Sequence, residues 1–351
     1  MCKIYYRAQT QYENFGDLVI NQNLIKMMRE KGELVIDTNG VPESYLLGLE
    51  LNNREVFKGK NFFLKIVKDS LSKKNTVLFF TKPGHVSYKN ELSSLVRQTL
   101  TAIVYSIMYI CGVKICRFGG SIGNETGFAR YIEIFKGRLY SKYIVRDSGS
   151  FQLAKDKNYK NLDLASDLAF NCECYFDEDK KENYNNILAS FRNGPDLSKL
   201  KSLINKLNSS YEVDGIIQVD RDLKFMRELF QNKNFDKYLS TSDKFKSQIL
   251  ESYSNNSIAI SNRLHVLLLS ASYGVVPFAY VNKDNKKIID IYNDLGLDSL
   301  LIYETDSVDL IFDKIHSCNL TLTRKKLSKI FEKESEKNIE KFRLIFDNLK
   351  I

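Results

Sequence analysis

The chain has 351 residues, 43% of them hydrophobic and 27% charged, with a net charge of +9. That length, about twice a typical domain, predicts two domains, each able to bury a core without disulfides or metal. Basic residues are interspersed with acidic ones and form no stripe with interleaved aromatics, so no nucleic-acid partner is expected.

Residues 3–7 read as a short strand, followed by the loop Tyr12-Glu13-Asn14-Phe15-Gly16. A helix is predicted to start near Asp17, an acid suited to the positive end of a helix dipole. Ile20, Leu24 and Met27/Met28 give it one apolar face, and Gly32 ends it. Strands follow at 33–37 and 76–80, the second ending in the turn Lys82-Pro83-Gly84-His85. A helix over about 89–110 leads to a strand at 113–118, the loop Gly119-Gly120-Ser121-Ile122-Gly123, and a strand at 143–146. Strands alternating with helices imply a parallel sheet, because parallel neighbours need crossover connections. Ligands of such sheets bind where loops leave the carboxyl ends of strands, as do the loops at Asn14, Gly84, Gly119 and Arg146.

Residues 178–186 are polar, without apolar periodicity, and place a boundary near 183. A second βα series then begins: a strand at 187–191, a turn at 192–195, a helix at 197–207, and strands at 215–219 and 257–260. The resulting division is an N-terminal domain over 1–182, a C-terminal domain over 183–320, and a helix over 321–351. In that tail Leu327, Ile330, Phe331, Ile339, Phe342, Ile345, Phe346 and Leu349 mark one face. The expected role is packing back across a domain, with a membrane-surface helix as the alternative.

Six cysteines and three widely spaced histidines, His85, His265 and His316, show no zinc or redox spacing, so neither a metal nor a cofactor is expected. Free thiols fit a reducing compartment. The first residues lack a long apolar run, and the apolar stretch 100–116, which reads as a buried helix followed by a buried strand, falls short of the ~20 residues of a spanning helix. A cytoplasmic protein is expected, its positive charge compatible with peripheral association with the inner face of the membrane.

The segment 257–288 is the most informative. A strand, the loop Ser261-Asn262-Arg263, a helix over 264–271, the stop Gly274 and a strand over 275–280 form one βαβ unit. Arg263 and His265 thus flank the start of a helix, whose first backbone N–H groups lack intrahelical acceptors. A guanidinium, an imidazole and a helix N-terminus together suit a phosphate or carboxylate. The competing reading pairs Arg263 with a nearby acid and makes His265 a helix cap.

Ser261-Asn262-Arg263-Leu264-His265, then Gly274-Val275-Val276-Pro277 and Lys286, resembles the C-terminal signature of the polysaccharide pyruvyl transferase family. Asn14-Phe15-Gly16-Asp17 resembles that family's N-terminal loop. Val145-Arg146-Asp147-Ser148 through Ser166-Asp167-Leu168-Ala169-Phe170, and Gly119-Gly120-Ser121-Ile122-Gly123, resemble its central region. The chain departs from the family at Lys82-Pro83-Gly84-His85, where glycines are usual, and at Lys283-Asp284, where Tyr-Asp often stands. The resemblance, with the alternation of elements, implies two Rossmann-like domains facing across a cleft, a GT-B-like arrangement. The N-terminal domain would take the acceptor and the C-terminal one the donor.

By the same resemblance, pyruvate moves from phosphoenolpyruvate to a sugar as a ketal. The acceptor would be a glycan or a lipid- or nucleotide-linked sugar of a surface polysaccharide. His265 would be the general acid/base. Arg263, the Leu264 backbone N–H, Arg146 and Lys286 would hold the donor, and Asn14, Gly16 and Asp17 would line the opposite, acceptor wall. Arg146 as a surface ion pair, Lys286 as a solvated side chain and Asp17 as a helix cap are the plainer readings. His85 stands outside the set, and Arg192 is a reserve donor ligand. The alternative function is a GT-B glycosyltransferase using a nucleotide-sugar, with Glu304 and Asp306 as the late acids.

Overall fold

A computed structural model describes residues 2–86, 91–123, 126–176, 185–231, 233–242 and 244–349. The predicted boundary near 183 and the predicted helix start at Lys89 lie outside the described residues. The chain folds as two compact units that are not contiguous in sequence. Unit 1 comprises Met1–Thr10, Ile20–Leu168 and Ser335–Ile351, and unit 2 comprises Gln11–Val19 and Ala169–Glu334.

Unit 1 is built on β1 (Cys2–Arg7), β2 (Glu33–Asp37), β3 (Val56–Phe57), β4 (Thr76–Thr81), β5 (Gly84–Val86), β6 (Lys114–Ile122), β7 (Lys142–Val145) and β8 (Leu162–Leu164). Their order is β3-β2-β1-β4-β6-β7-β8, with β5 paired to β6, and every pairing is parallel. Central strands covered on both faces need apolar side chains in both directions. Accordingly Val77, Leu78, Phe79 and Phe80 of β4 are all buried.

The glycine-rich stretch predicted as a loop is instead the end of β6. Gly119, at φ +71°, allows a bulge that shifts the register to β7 between Phe118 and Gly120. Gly120 pairs with Gly84 of β5, so neighbouring strands take up the backbone groups that a loop would have offered to a ligand.

Unit 2 carries β9 (Asn186–Ser190), β10 (Glu212–Gly215), β11 (Ile258–Ser261), β12 (Val276–Val281) and β13 (Leu301–Tyr303), in the order β10-β9-β11-β12-β13 and all parallel. The strand predicted over 215–219 lies earlier, at Glu212–Gly215. Beyond it the chain pairs with the N-terminal loop: Phe15 N donates to Gln218 O at 3.0 Å, and Asn14 bridges Val219 in antiparallel fashion.

The last helix, Leu320–Asn348, gives its first half to unit 2 and its second half to unit 1. In unit 2, Arg324 Nε donates to Gly274 O at 3.0 Å and Phe331 packs edge-on against Phe170. In unit 1, Phe342 lies against Phe80 and Phe118, with ring centroids 5.6 and 5.4 Å away. The predicted apolar face therefore packs inward, with one exception. Ile339 is 48% exposed, and its neighbour Asn338 is fully buried. Asn338 Oδ1 accepts from Ser166 N at 2.8 Å and its Nδ2 donates to Asp167 O at 3.2 Å. The helix thus pins the loop that carries Asp167. Among the described residues no helix is long and apolar enough to cross a membrane.

Asn338→Ala should destabilise unit 1 by about 2 kcal/mol, because it strands a buried N–H and a buried carbonyl. A urea unfolding curve unchanged from wild type would contradict this role.

Candidate functional site

The chain order of unit 2 reverses between β9 and β11: β10 lies on one side of β9, while β11, β12 and β13 follow on the other. Loops leaving the carboxyl ends of two such strands diverge and open a crevice, the usual ligand position in an open parallel sheet. Here those loops carry Arg192, two residues after β9, and Arg263, two residues after β11.

Ser261-Asn262-Arg263 shapes this crevice through its own hydrogen bonds. Ser261 Oγ donates to Ser190 O and accepts from Arg263 N at 3.0 Å. Asn262 Oδ1 accepts from Arg192 N at 2.9 Å, and its Nδ2 donates to Arg192 O at 3.3 Å. The motif therefore ties the two loops together. Arg263 then caps the helix Leu264–Ser272 in extended geometry, and its own side chain makes no cap hydrogen bond, so the helix mouth opens with the Leu264 N–H.

Arg263 makes a two-pronged ion pair with Asp222, Nε to Oδ2 at 2.8 Å and Nη2 to Oδ1. The acid-pairing reading of Arg263 is thus correct as geometry. It leaves an anion role open, because the fork uses one edge of the guanidinium and fixes its plane. Burial pushes the Asp222 carboxyl above its usual range, opposed by the Arg263 guanidinium and by the charges of Arg221 and Arg192. Three guanidiniums thus act on a single buried carboxylate.

His265, half-buried in the first helical turn, meets the N-terminal loop. A Cβ on Gly16 would fall 2.5 Å from His265 Cβ and 2.6 Å from Cγ, and nearer still to Nδ1. Only a residue without a side chain fits beneath this imidazole. The loop is held by Asn14, whose Oδ1 accepts from Gly16 N at 3.0 Å and whose Nδ2 donates to Asp17 Oδ1 at 3.1 Å. Phe15 packs edge-on against Phe245.

The expectation that Asn14, Gly16 and Asp17 stand on a wall opposite His265 is therefore corrected. Residues 11–19 belong to unit 2, and Gly16 is the floor under the His265 ring. The physical reason is the bridge to Val219 and the bond to Gln218, which draw this loop onto the second sheet.

Arg146 lies in unit 1 at the end of β7, where its buried guanidinium pairs with Asp167 and lies 3.4 Å from Ser121 Oγ. Its sequence neighbour Asp147 is occupied elsewhere, capping the helix Ser148–Asp156 through Ser150 N. Lys286 is exposed at the first position of the helix Lys286–Asp294, which follows β12. His85 is exposed in β5, its Nδ1 3.3 Å from Ser121 Oγ. Glu304 and Asp306 are hydrogen-bonded within the protein: Glu304 accepts from Asp196 N and Asn282 Nδ2 of two neighbouring loops, and Asp306 accepts from Tyr303 N of its own.

The sequence model of the polysaccharide pyruvyl transferase family matches residues 14–285, more than half of the chain. The chain belongs to this family. The match contains Asn14, Arg146, Arg263 and His265 and stops one residue short of Lys286. No curated protein matches it. Among solved structures it is similar to UDP-GlcNAc 2-epimerase from Neisseria meningitidis bound to UDP-GlcNAc, at 10% identity and TM-score 0.56, covering 99% of both chains. It is also similar to the S. aureus MnaA-UDP co-structure, at 11% identity and TM-score 0.55, covering 94% of this chain and 92% of that one. Acinetobacter baumannii MurG aligns at 12% identity and TM-score 0.50 over 99% and 100% of the two chains. These likenesses show a GT-B-like fold of two parallel-sheet α/β domains, and the family makes the protein a transferase.

In this member of the family, sequence reasoning missed Asp222 and Arg221. Both sit in a short 3-10 turn after residue 219, and Asp220-Arg221-Asp222 reads as an ordinary charged loop. A charged triplet soon after an apolar run, in an α/β chain, was the available signal.

Gly16→Ala should displace the imidazole and destabilise the protein by about 1–3 kcal/mol, the usual cost of overpacking a filled site. Urea denaturation with an unchanged midpoint would show that the contact is not as tight as described.

Proposed function

We propose that this transferase moves pyruvate from phosphoenolpyruvate onto a sugar of a bacterial surface polysaccharide or its precursor, as a ketal. The observation that carries the reading is the joining of Arg263, Arg192, the Leu264 N–H and His265 at the point where the unit 2 sheet reverses. Family membership supports the same reaction class.

The reaction adds an acceptor hydroxyl to C2 of the enol phosphate while the methylene carbon takes a proton. The C2–O bond to phosphate then breaks, leaving an oxocarbenium-like centre. A second hydroxyl of the same sugar closes the ketal and gives up its proton, so one diol and one donor yield one ketal and one inorganic phosphate. The donor carries two anionic groups, a carboxylate and a phosphate, and charge-assisted hydrogen bonds from a fixed guanidinium and a helix N-terminus favour it. His265 is the proton carrier in this scheme, since an imidazole exchanges protons in both directions near neutral pH. Gly16 beneath the ring holds it in one orientation. Asp222 acts through Arg263 as a positioning residue.

The nucleotide-sugar alternative draws on the shared fold. Its late acids already accept hydrogen bonds inside the protein, Glu304 from Asn282 and Asp196 and Asp306 from Tyr303.

The test is mass spectrometry of glycan acceptors incubated with phosphoenolpyruvate, read for a pyruvyl mass increment alongside phosphate release. Transfer from a nucleotide-sugar in its place would overturn the proposal. His265→Ala should cut turnover by about 10²–10⁴-fold with the fold intact. Arg263→Ala paired with Asp222→Asn, which keeps the buried site neutral, should raise the donor KM by about 10–100-fold, the worth of a charge-assisted hydrogen bond. Wild-type kinetics in both variants would refute the assignment.

A further inference from the structure

Two helices of unit 1, Leu92–Ile110 and Gly127–Leu139, pack against each other with their amphipathic sense reversed. In the first, Ser94 and Gln98 are buried and hydrogen-bonded to each other at 3.1 Å. On the same helix Val96, Leu100, Ile103, Ile107 and Ile110 are 51, 58, 51, 49 and 81% exposed. They recur at three- and four-residue steps and form one stripe. The second helix adds Phe128, Tyr131 and Phe135, at 62, 69 and 48% exposure. Between the helices runs an apolar groove of about 430 Å³, lined from the first helix by Ile103, Ile107 and Ile110 and from the second by Phe128, Tyr131 and Phe135. A contiguous apolar surface of this kind marks an interaction site.

The charges on the two helices indicate what covers it. Their exposed charged side chains are Arg97, Arg130 and Arg138. The acid of the pair, Glu133, is buried and bound to Lys136 at 2.6 Å. Glu91, just before the first helix, is the exposed acid closest to it in sequence. A second copy of the chain docked symmetrically through this face would set one arginine-bearing face against another, with no exposed acid on either helix to pair them. An anionic bilayer offers them phosphates while accepting the stripe among its acyl chains.

From the reversed amphipathicity and the three exposed arginines of the helices, we infer that this pair is a docking face for an anionic lipid surface. Docking needs no turnover, so it stands or falls independently of the pyruvyl transfer reading.

The test is flotation of the full chain with vesicles of phosphatidylglycerol and phosphatidylcholine in equal parts, against vesicles of phosphatidylcholine alone. Wild type should float with the anionic vesicles and far less with the neutral ones. Joint replacement Ile103→Glu and Phe135→Glu should weaken binding by about tenfold or more. Joint replacement Arg97→Gln, Arg130→Gln and Arg138→Gln leaves the apolar stripe untouched and should weaken it by about a hundredfold. The inference is overturned if wild type stays off the anionic vesicles or if the arginine variant binds as wild type does. A dimer in sedimentation equilibrium that Ile103→Glu disperses would likewise overturn it, by giving the face to a second copy.

Discussion

Asp222 lies beneath the Arg263 guanidinium at 2% exposure, and this ion pair sets the geometry of everything around it. A buried carboxylate requires a well-made partner, since an uncompensated charge in the interior costs several kcal/mol. Arg263 therefore cannot wander: its plane is fixed by the fork and its backbone by Ser261. Asn262 carries the same rigidity to the Arg192 loop, so two cations from two strands are presented together. Preorganisation of this kind removes the ordering cost when an anion arrives.

The second constraint is the traffic of the chain between its units. The segment 11–19 leaves unit 1 after β1 and returns along the helix Phe15–Arg29, and the final helix is likewise divided. The first exchange places a glycine under the imidazole of the helix mouth. The second places Asn338 on the loop that holds Asp167, and so steadies the buried Arg146 pair.

Much of this was legible in the residues. Alternating apolar runs and amphipathic stretches identified two parallel-sheet domains, and Ser261-Asn262-Arg263 before an apolar helix pointed to the loop that follows β11 at the reversal of the second sheet. What escaped has physical causes. The side taken by Asn14, Gly16 and Asp17 depends on backbone hydrogen bonds to Gln218 and Val219, some 200 residues away, and no local pattern announces them. The strand character of Gly119–Ile122 depends on pairing with β5, which overrides the preference of glycine for loops. Ile339 reads as core by periodicity, but Asn338 occupies the buried position because a loop needed its two hydrogen bonds. The exposed stripe on Leu92–Ile110 was read as a buried helix because apolar content alone does not say which face turns inward.

The most direct measurement of the central claim is the diffraction of crystals soaked with phosphoenolpyruvate. The account predicts donor density at the mouth of the helix Leu264–Ser272, its phosphate or carboxylate within hydrogen-bond distance of Arg263 and the Leu264 N–H, with His265 facing the methylene carbon. Donor density elsewhere, with Arg263 bound to Asp222 alone, would contradict it.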